Sequence, residues 1–541
     1  MDDAFLRAIR ADPEADLPRL VYADWLDEHD DPARAEFIRV QCALAKLPDH
    51  DDAYAALEDR EHELLAEHEA QWLGDGPTPD EWTFRRGFVA DIDFDPANPP
   101  YAALTGHAVT SLTLSPHFDT SEPESVLGID GTEAVCEIDL TRASGVWHTL
   151  DLGGLLHRWD TPAAKSLRVA GPARLGPVLS GTPVARTLKV LQAGGLAGLP
   201  GTRYNEVAEV ADALKHAPLE RLDVYDTNLA ELGPLLHAGF AGSLTSLDVS
   251  YNPLGPEAYR EYGRAGRDLA LKHLDVSGTT LCGPMLQNVL AARCCDALSR
   301  LALNNADALN VEWLLDTPFW AQATELSVHQ SRVREDHFER LARHPGPPTL
   351  RSLDLGDNDL GPRAARLLSE AAWARSITWL NLAANAFEYR AVAHLSEPWA
   401  FPYLRTLHLG HNAGLFDDAL ELLVNSATLS RLRVLTLTST GVTDYGVELL
   451  MNAPHFMLSG LGLSATSITA AGVRTLANSP RLARLNWLDL SDNAALHSDA
   501  LLPLAESPYL SPLCDLDISR TGASTAVRDL LRQRLGRRLL D

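Results

Sequence analysis

The chain has 541 residues, 45% of them hydrophobic, and a formal net charge of −28. That charge repels a phosphate backbone and argues against nucleic acid as a ligand. No apolar run of about 18 residues occurs, so no membrane-spanning helix is expected.

Residues 1–80 carry 22 acidic and 7 basic side chains, and the acidity is concentrated there. Residues 1–48 read as three short amphipathic helices. Phe5, Leu6 and Ile9 mark the first face, Leu20, Val21, Trp25 and Leu26 the second, and Phe37, Ile38, Leu44 and Leu47 the third. Asp12-Pro13 and Asp31-Pro32 separate them, because the residue before proline avoids helical geometry. Residues 49–81 read as a fourth, highly charged helix and a linker, broken by Gly74-Asp75-Gly76-Pro77. Residues 82–94 suit a hairpin or edge strand that starts a repeat array and covers its first unit.

From about residue 109 to 521, within an array read as 82–521, an L-x-x-L-x-L core recurs. Its middle position falls at Leu112, Ile138, Leu167, Leu191, Leu222, Leu247, Leu274 and Leu301, then at Leu326, Leu353, Leu380, Leu407, Leu435, Leu461, Leu488 and Leu516. The units are irregular to about residue 218 and regular over 219–521. In Leu350-Arg-Ser-Leu353-Asp-Leu355-Gly-Asp-Asn358 the leucines point inward, and Asn358 is placed to bond backbone groups as the chain leaves the strand. Thr227, Asn252, Thr279, Ser331, Asn385, Asn412, Thr440, Thr466, Asn493 and Thr521 occupy the same place, with Ala306 the exception. Helix-compatible segments such as 361–368 follow the strands. Such a period implies an α/β solenoid of leucine-rich repeats with a small all-helical N-terminal cap. Strands stack about 4.8 Å apart and helices about 8–10 Å, so a horseshoe with concave strands and convex helices is expected. Residues 522–541 form an amphipathic helix over Val527, Leu530, Leu531 and Leu535 that closes the far end, with its arginines as a solvated face.

The N-terminal blocks Arg19-Leu-Val-Tyr-Ala-Asp-Trp-Leu26 and Ala35-Glu-Phe-Ile-Arg39 resemble the bacterial repeat-companion domain, a module that precedes leucine-rich repeats. The remainder is similar to the ribonuclease-inhibitor type of repeat. These resemblances imply a bacterial protein but bring no catalytic residues. The absence of a basic-then-apolar leader, and six cysteines without C-x-x-C pairing, point to a reduced, cytoplasmic chain. Cys294-Cys295 is the one pair with redox potential worth noting.

Tempting chemistry has plain readings. His62 and His68 lie six apart, about 120° around a helix, and cannot share a zinc ion as a four-residue spacing would. His408, His411 and His497 have nothing that fixes them as ligands, and phosphate-loop and nucleophile-elbow motifs are missing. No cofactor, metal or catalytic residue is therefore expected, and the protein is expected not to be an enzyme.

The strand face carries what remains. Asp223, Asp248, Asp275 and Asp354 sit between the second and third strand leucines, with His408 at the same place farther on. These acids read either as a stripe for a basic partner segment or as an ordinary spelling that keeps the face soluble. Tyr225 and Tyr251 lie beside them, and Trp379 and Trp487 occupy outward strand positions suited to protein contacts. The expected function is a scaffold or adaptor that binds an unidentified protein on the concave face. The alternative is a regulator of an enzyme, an inhibitor or a GTPase-activating protein, using the same surface.

Overall fold

The computed structural model describes residues 2–48, 51–74, 82–94, 101–114, 134–142, 152–159, 164–170, 175–195, 206–265, 269–279, 281, 284–306, 309, 311–427, 429–455 and 457–541. Cys282 and the Asp75–Pro77 break lie outside them. The chain divides into two compact units, 1–271 with 292–294, and 272–291 with 295–541.

The first unit opens with four helices, α1 (Asp2–Ala11), α2 (Asp16–Asp27), α3 (Pro32–Leu44) and α4 (Asp52–Leu73). Asp31 caps α3 by accepting from the Arg34 amide, with Pro32 at the first helical position. An antiparallel hairpin follows, β1 (Trp82–Arg85) and β2 (Phe88–Phe94). Its turn residue Gly87 has φ +89°, and a Cβ there would collide with Ile38 of α3. The hairpin is thus seated directly on the helices. Gln41 of α3 accepts from the Gly87 amide and donates to Phe84 O at 3.2 Å.

Charged residues of the helical segment hold this junction together. The buried Arg34 guanidinium lies among Phe37, Trp72, Phe84 and Phe88, 4.8–5.7 Å from their ring centres. Burial lowers its pKa to about 10. Beside it His107 accepts from Val89 N at 3.0 Å through Nδ1 and donates from Nε2 to Trp72 O at 2.8 Å. Burial, then the charges of Arg34 and Arg10, push that imidazole down to about 3 and keep it neutral. Glu36 pairs with Arg60 through two 2.8 Å contacts, and Arg39 pairs with Asp24 and Asp27 at 2.7 Å.

From β2 the sheet continues in parallel through β3 (Ser111–Leu114), β4 (Glu137–Asp139), β5 (Ser166–Ala170), β6 (Val190–Gly194), β7 (Arg221–Asp223) and β8 (Ser246–Asp248). The second unit repeats the plan. Its strands are β9 (His273–Asp275), β10 (Arg300–Ala302), β11 (Glu325–Ser327), β12 (Ser352–Asp354), β13 (Trp379–Asn381), β14 (Thr406–His408), β15 (Val434–Thr436), β16 (Gly460–Gly462), β17 (Trp487–Asp489), β18 (Asp515–Asp517) and β19 (Leu539–Leu540). All pair in parallel with their sequence neighbours, middle leucine beside middle leucine. Those leucines are buried, while the residues on either side are mostly half-exposed on the open face of the sheet. Helices such as 362–370, 417–424, 444–452 and 470–478 cover the other face. The fold is α/β, a leucine-rich-repeat solenoid.

Two devices recur at the exits of β7 to β18, with Ala306 after β10 lacking the second. One residue adopts left-handed geometry, as at Asp226, Tyr251, Gly278, Asn305, Gln330, Asp357, Ala384, His411, Ser439, Ala465, Asp492 and Arg520. The next side chain then satisfies stranded backbone groups. Asn358 donates to Val328 O, Leu355 O and Gly356 O, and accepts from Ser331 N and Val333 N. Asn252, Asn385, Asn412 and Asn493 act in the same way. Threonine there bonds one carbonyl of its own turn, as Thr440 does to Leu437 O at 2.6 Å.

The C-terminal helix (Thr525–Leu535) buries Val527, Leu531 and Leu535. Its arginines are largely engaged. Arg534 donates to Ala505 O, Ser507 O and Leu510 O, and Arg532 binds Asp529 and Asp541. Among the described residues no helix is long and apolar enough to cross a membrane.

Candidate binding surface on the open strand face

The acidic positions prove to be turn builders. Asp248, Asp275, Asp354, Asp489 and Asp517 each accept, through Oδ1, the backbone N–H two residues ahead at 2.8–2.9 Å. Asp139 and Asn381 do the same. This is an Asx turn, and it explains the recurring acid without any ligand. Asp223 departs further from the expected open stripe, being only 2% exposed. Arg221 grips its carboxylate at 2.7–3.1 Å, which neutralises it. Tyr225 is half-buried, its ring laid over Gly194. Tyr251 lies off the strand at the left-handed turn position, φ 54°, and is exposed.

In the second unit the rule lapses at Ala302 and Ser327 of β10 and β11, and again over three consecutive strands. The third strand position reads His408, Thr436 and Gly462, and none can offer a carboxylate or amide oxygen to the turn. Trp379 and Trp487 bracket this stretch. The Trp379 ring lies 5.2 Å from the His408 ring, tilted by 58°. His408 Nδ1 is 2.9 Å from Thr436 Oγ1, and burial lowers its pKa, opposed by Asp354. Beyond Thr436 comes the glycine strand Gly460-Leu461-Gly462. A Cβ at Gly462 would sit 3.1 Å from both Thr436 Cγ2 and the tip of the Trp487 ring. One at Gly460 would sit 3.2 Å from the same ring. The indole therefore lies along the glycine strand and reaches toward Thr436. Trp379, His408, Thr436 and Trp487 form one continuous half-exposed surface, floored by two glycines. Asp354 adjoins it, accepting from Asn381 Nδ2 at 2.9 Å, with His329 Nδ1 at 3.6 Å. The sequence marked both tryptophans and His408 but missed the glycines, whose signal is G-L-G where neighbours spell larger residues.

The first unit carries a second feature of the open face that sequence reasoning passed over. A cavity of about 220 Å³ lies beside the hairpin, bounded by Trp82, Arg85, Asp91, Glu137, Asp139 and Arg168. Two ion pairs line it, Arg85 with Asp91 at 3.0 Å and Arg168 with Asp139 at 3.5 Å. Burial raises the Asp91 carboxyl above its usual range against the pull of Arg85. The alternating D-I-D and E-I-D spellings of β2 and β4 were the available signal.

The five described cysteines, Cys42, Cys136, Cys294, Cys295 and Cys514, are buried free thiols. Burial raises Cys42 and Cys136 to about 11 and Cys514 to about 12, away from reactivity. Among the described residues no group of three or more metal-binding side chains assembles.

Residues 243–258 and 346–369 match the family model described as Leucine Rich repeat. Among solved structures the chain is similar to an internalin (InlF) from Listeria monocytogenes. The two are 16% identical over 75% of this chain and 89% of that one, with a TM-score of 0.33. It is similar also to a chain of the Rad7 and Elc1 complex in yeast, 15% identical over 81% of this chain and 94% of that one, with a TM-score of 0.45. No curated protein matches the sequence. At these identities the likeness concerns the fold, and it carries no argument about function.

Proposed function

We propose that the protein is a non-catalytic scaffold or adaptor that binds a partner protein on the open strand face of its second unit. The observation that carries this reading is the continuous surface of Trp379, His408, Thr436 and Trp487. Half-exposed indoles held in place by strand and ring contacts supply large contact area at small entropic cost, the character of interface hot spots. The acidic N-terminal helices fit a repeat-companion module of a bacterial, cytoplasmic protein, and their charged residues serve as its junction with the first strands.

The test is affinity recovery from native lysate with the full chain, beside Trp379→Ala and Trp487→Ala. Each variant is first checked for an unchanged melting curve. A partner held by the full chain and lost from both variants supports the reading. Equal recovery by all three proteins refutes it.

A further inference from the structure

A different surface of the second unit carries three exposed aromatic rings in consecutive repeats. Tyr389, Phe416 and Tyr445 are 45%, 53% and 51% exposed. Tyr389 and Phe416 each lie nine residues past their middle leucine and Tyr445 ten past its own, so all three stand where the outer helices begin. The row is bounded. The corresponding places hold Pro362 and Arg363 in the preceding repeat and Ala470 and Ala471 in the following one.

The rim beneath the rings is rigid. Asp417 accepts from Thr443 N at 2.9 Å and from Thr443 Oγ1 at 2.5 Å, one repeat on. Asp444 accepts from Thr469 N and Oγ1 at 2.7 and 2.6 Å, and from Gly472 N. Each helix start is thereby stitched to the next. The Phe416 ring is laid over Gly441, where any side chain would displace it. An exposed ring fixed as Phe416 is gains little for folding and is preorganised for contact. The residues flanking the rings in sequence are mostly acidic, Glu388, Asp417, Asp418 and Asp444, with Arg390 beside Tyr389.

We infer that this row is a second docking surface, and that its occupant is a basic amphipathic helix of a partner protein. Neighbouring helices pack about 8–10 Å apart, so the rings recur at about that interval. A helix rises about 10.5 Å in seven residues. Apolar side chains seven apart would therefore meet successive rings, while flanking lysines or arginines meet Glu388 and Asp418. The inference rests on the rim alone and does not need the strand-face reading.

The probe is a fluorescein-labelled helical peptide with three leucines seven residues apart in a lysine–alanine background. Its anisotropy is titrated at physiological salt with the full chain, with the triple variant Tyr389→Ala/Phe416→Ala/Tyr445→Ala, and with Trp379→Ala. Binding by the full chain and by Trp379→Ala, with at least tenfold weaker binding by the triple variant, is expected. A peptide of the same composition with scrambled leucines should also bind at least tenfold more weakly. No binding by the full chain, equal binding by the triple variant, or equal binding of the scrambled peptide overturns the inference. Should the triple variant melt early, Glu388→Lys/Asp418→Lys replaces it, with at least fivefold weaker binding expected and no change overturning the inference. Because Trp379→Ala should bind the peptide normally, failure here is separate from failure of the strand-face reading.

Discussion

Asn412 is the position at which the energetics of the strand exits can be tested most cleanly. Its side chain is fully buried and donates to Leu382 O, Leu409 O and Gly410 O at 3.0, 2.8 and 3.3 Å. It accepts from Asn385 N and Phe387 N at 3.2 and 3.0 Å. Asn412→Ala removes all five bonds. Gly410 O keeps the bond from Ala384 N and Leu382 O keeps that from Asn385 Nδ2, which leaves two amides and one carbonyl without a partner. At about 1 kcal/mol for each, the loss is about 3 kcal/mol. Asn412→Thr should retain the bond to Leu409 O, as Thr440 bonds Leu437 O, and cost about 2 kcal/mol. Asn385→Ala, at a half-buried site that water can reach, should cost about 2 kcal/mol. Urea unfolding followed by circular dichroism gives the order. Because repeat arrays need not unfold in one step, hydrogen exchange at the Phe387 amide supplies the local measure. A shift for Asn412→Ala no larger than that of exposed Glu448→Ala would refute the ladder as a source of stability.

Two histidines offer further tests. His107 is held neutral to about pH 3 when folded, against a value of 6.5 for the free side chain. Above 6.5 both states are neutral, and as pH falls below it only the unfolded chain gains the proton. The histidine's contribution is therefore complete above pH 6.5 and is lost toward pH 3, with a slope approaching about 1.4 kcal/mol per pH unit. Melting curves of the full chain from pH 7 to 4 should show a steeper decline than those of His107→Gln, and parallel declines would contradict the assignment. At the strand face, His408→Asp should restore the Asx turn to the Gly410 amide and raise stability by about 0.5–1 kcal/mol while weakening partner recovery. Lower stability, or unchanged recovery, would count against that account.

What the sequence made legible was periodic, and what it hid was particular. The buried middle leucines follow from spacing, as does the role of Asn358 and its equivalents, because both repeat with every strand. The left-handed residue at each strand exit was hidden, since Gly278, Asn305 and three aspartates suit that geometry while Tyr251, Gln330, Ala384, His411, Ser439, Ala465 and Arg520 spell no preference for it. The acids of the strand face stayed open between two readings for a related reason. An Asx turn and a ligand-binding stripe use the same letters, and only the bond from Ser250 N to Asp248 distinguishes them. Asp223 carried a local clue that went unread, since Arg221 two residues before it shares its strand face and neutralises it. Arg34 looks in sequence like a surface charge, and its place among four rings depends on Trp72, Phe84 and Phe88, contributed from elements far along the chain.

Binding residues in such an array should be sought where its repeats differ. A position that successive repeats fill alike is serving the backbone, as Asp354, Asp489 and Asp517 do. Where neighbours abandon that filling, each repeat forgoes a turn bond of about 1 kcal/mol, and something else must account for the residue present. Ala302 and Ser327 abandon it in two adjacent strands, and His408, Thr436 and Gly462 in three. Only the latter three do so between half-exposed rings, those of Trp379 and Trp487, with Gly462 leaving the space into which the second indole extends. Local rules broken together at one place on a well-packed scaffold are the mark of a surface shaped for contact. The 379–487 face is therefore favoured over the acidic positions of the first unit, whose carboxylates are already spent on Arg221 and on their own turns.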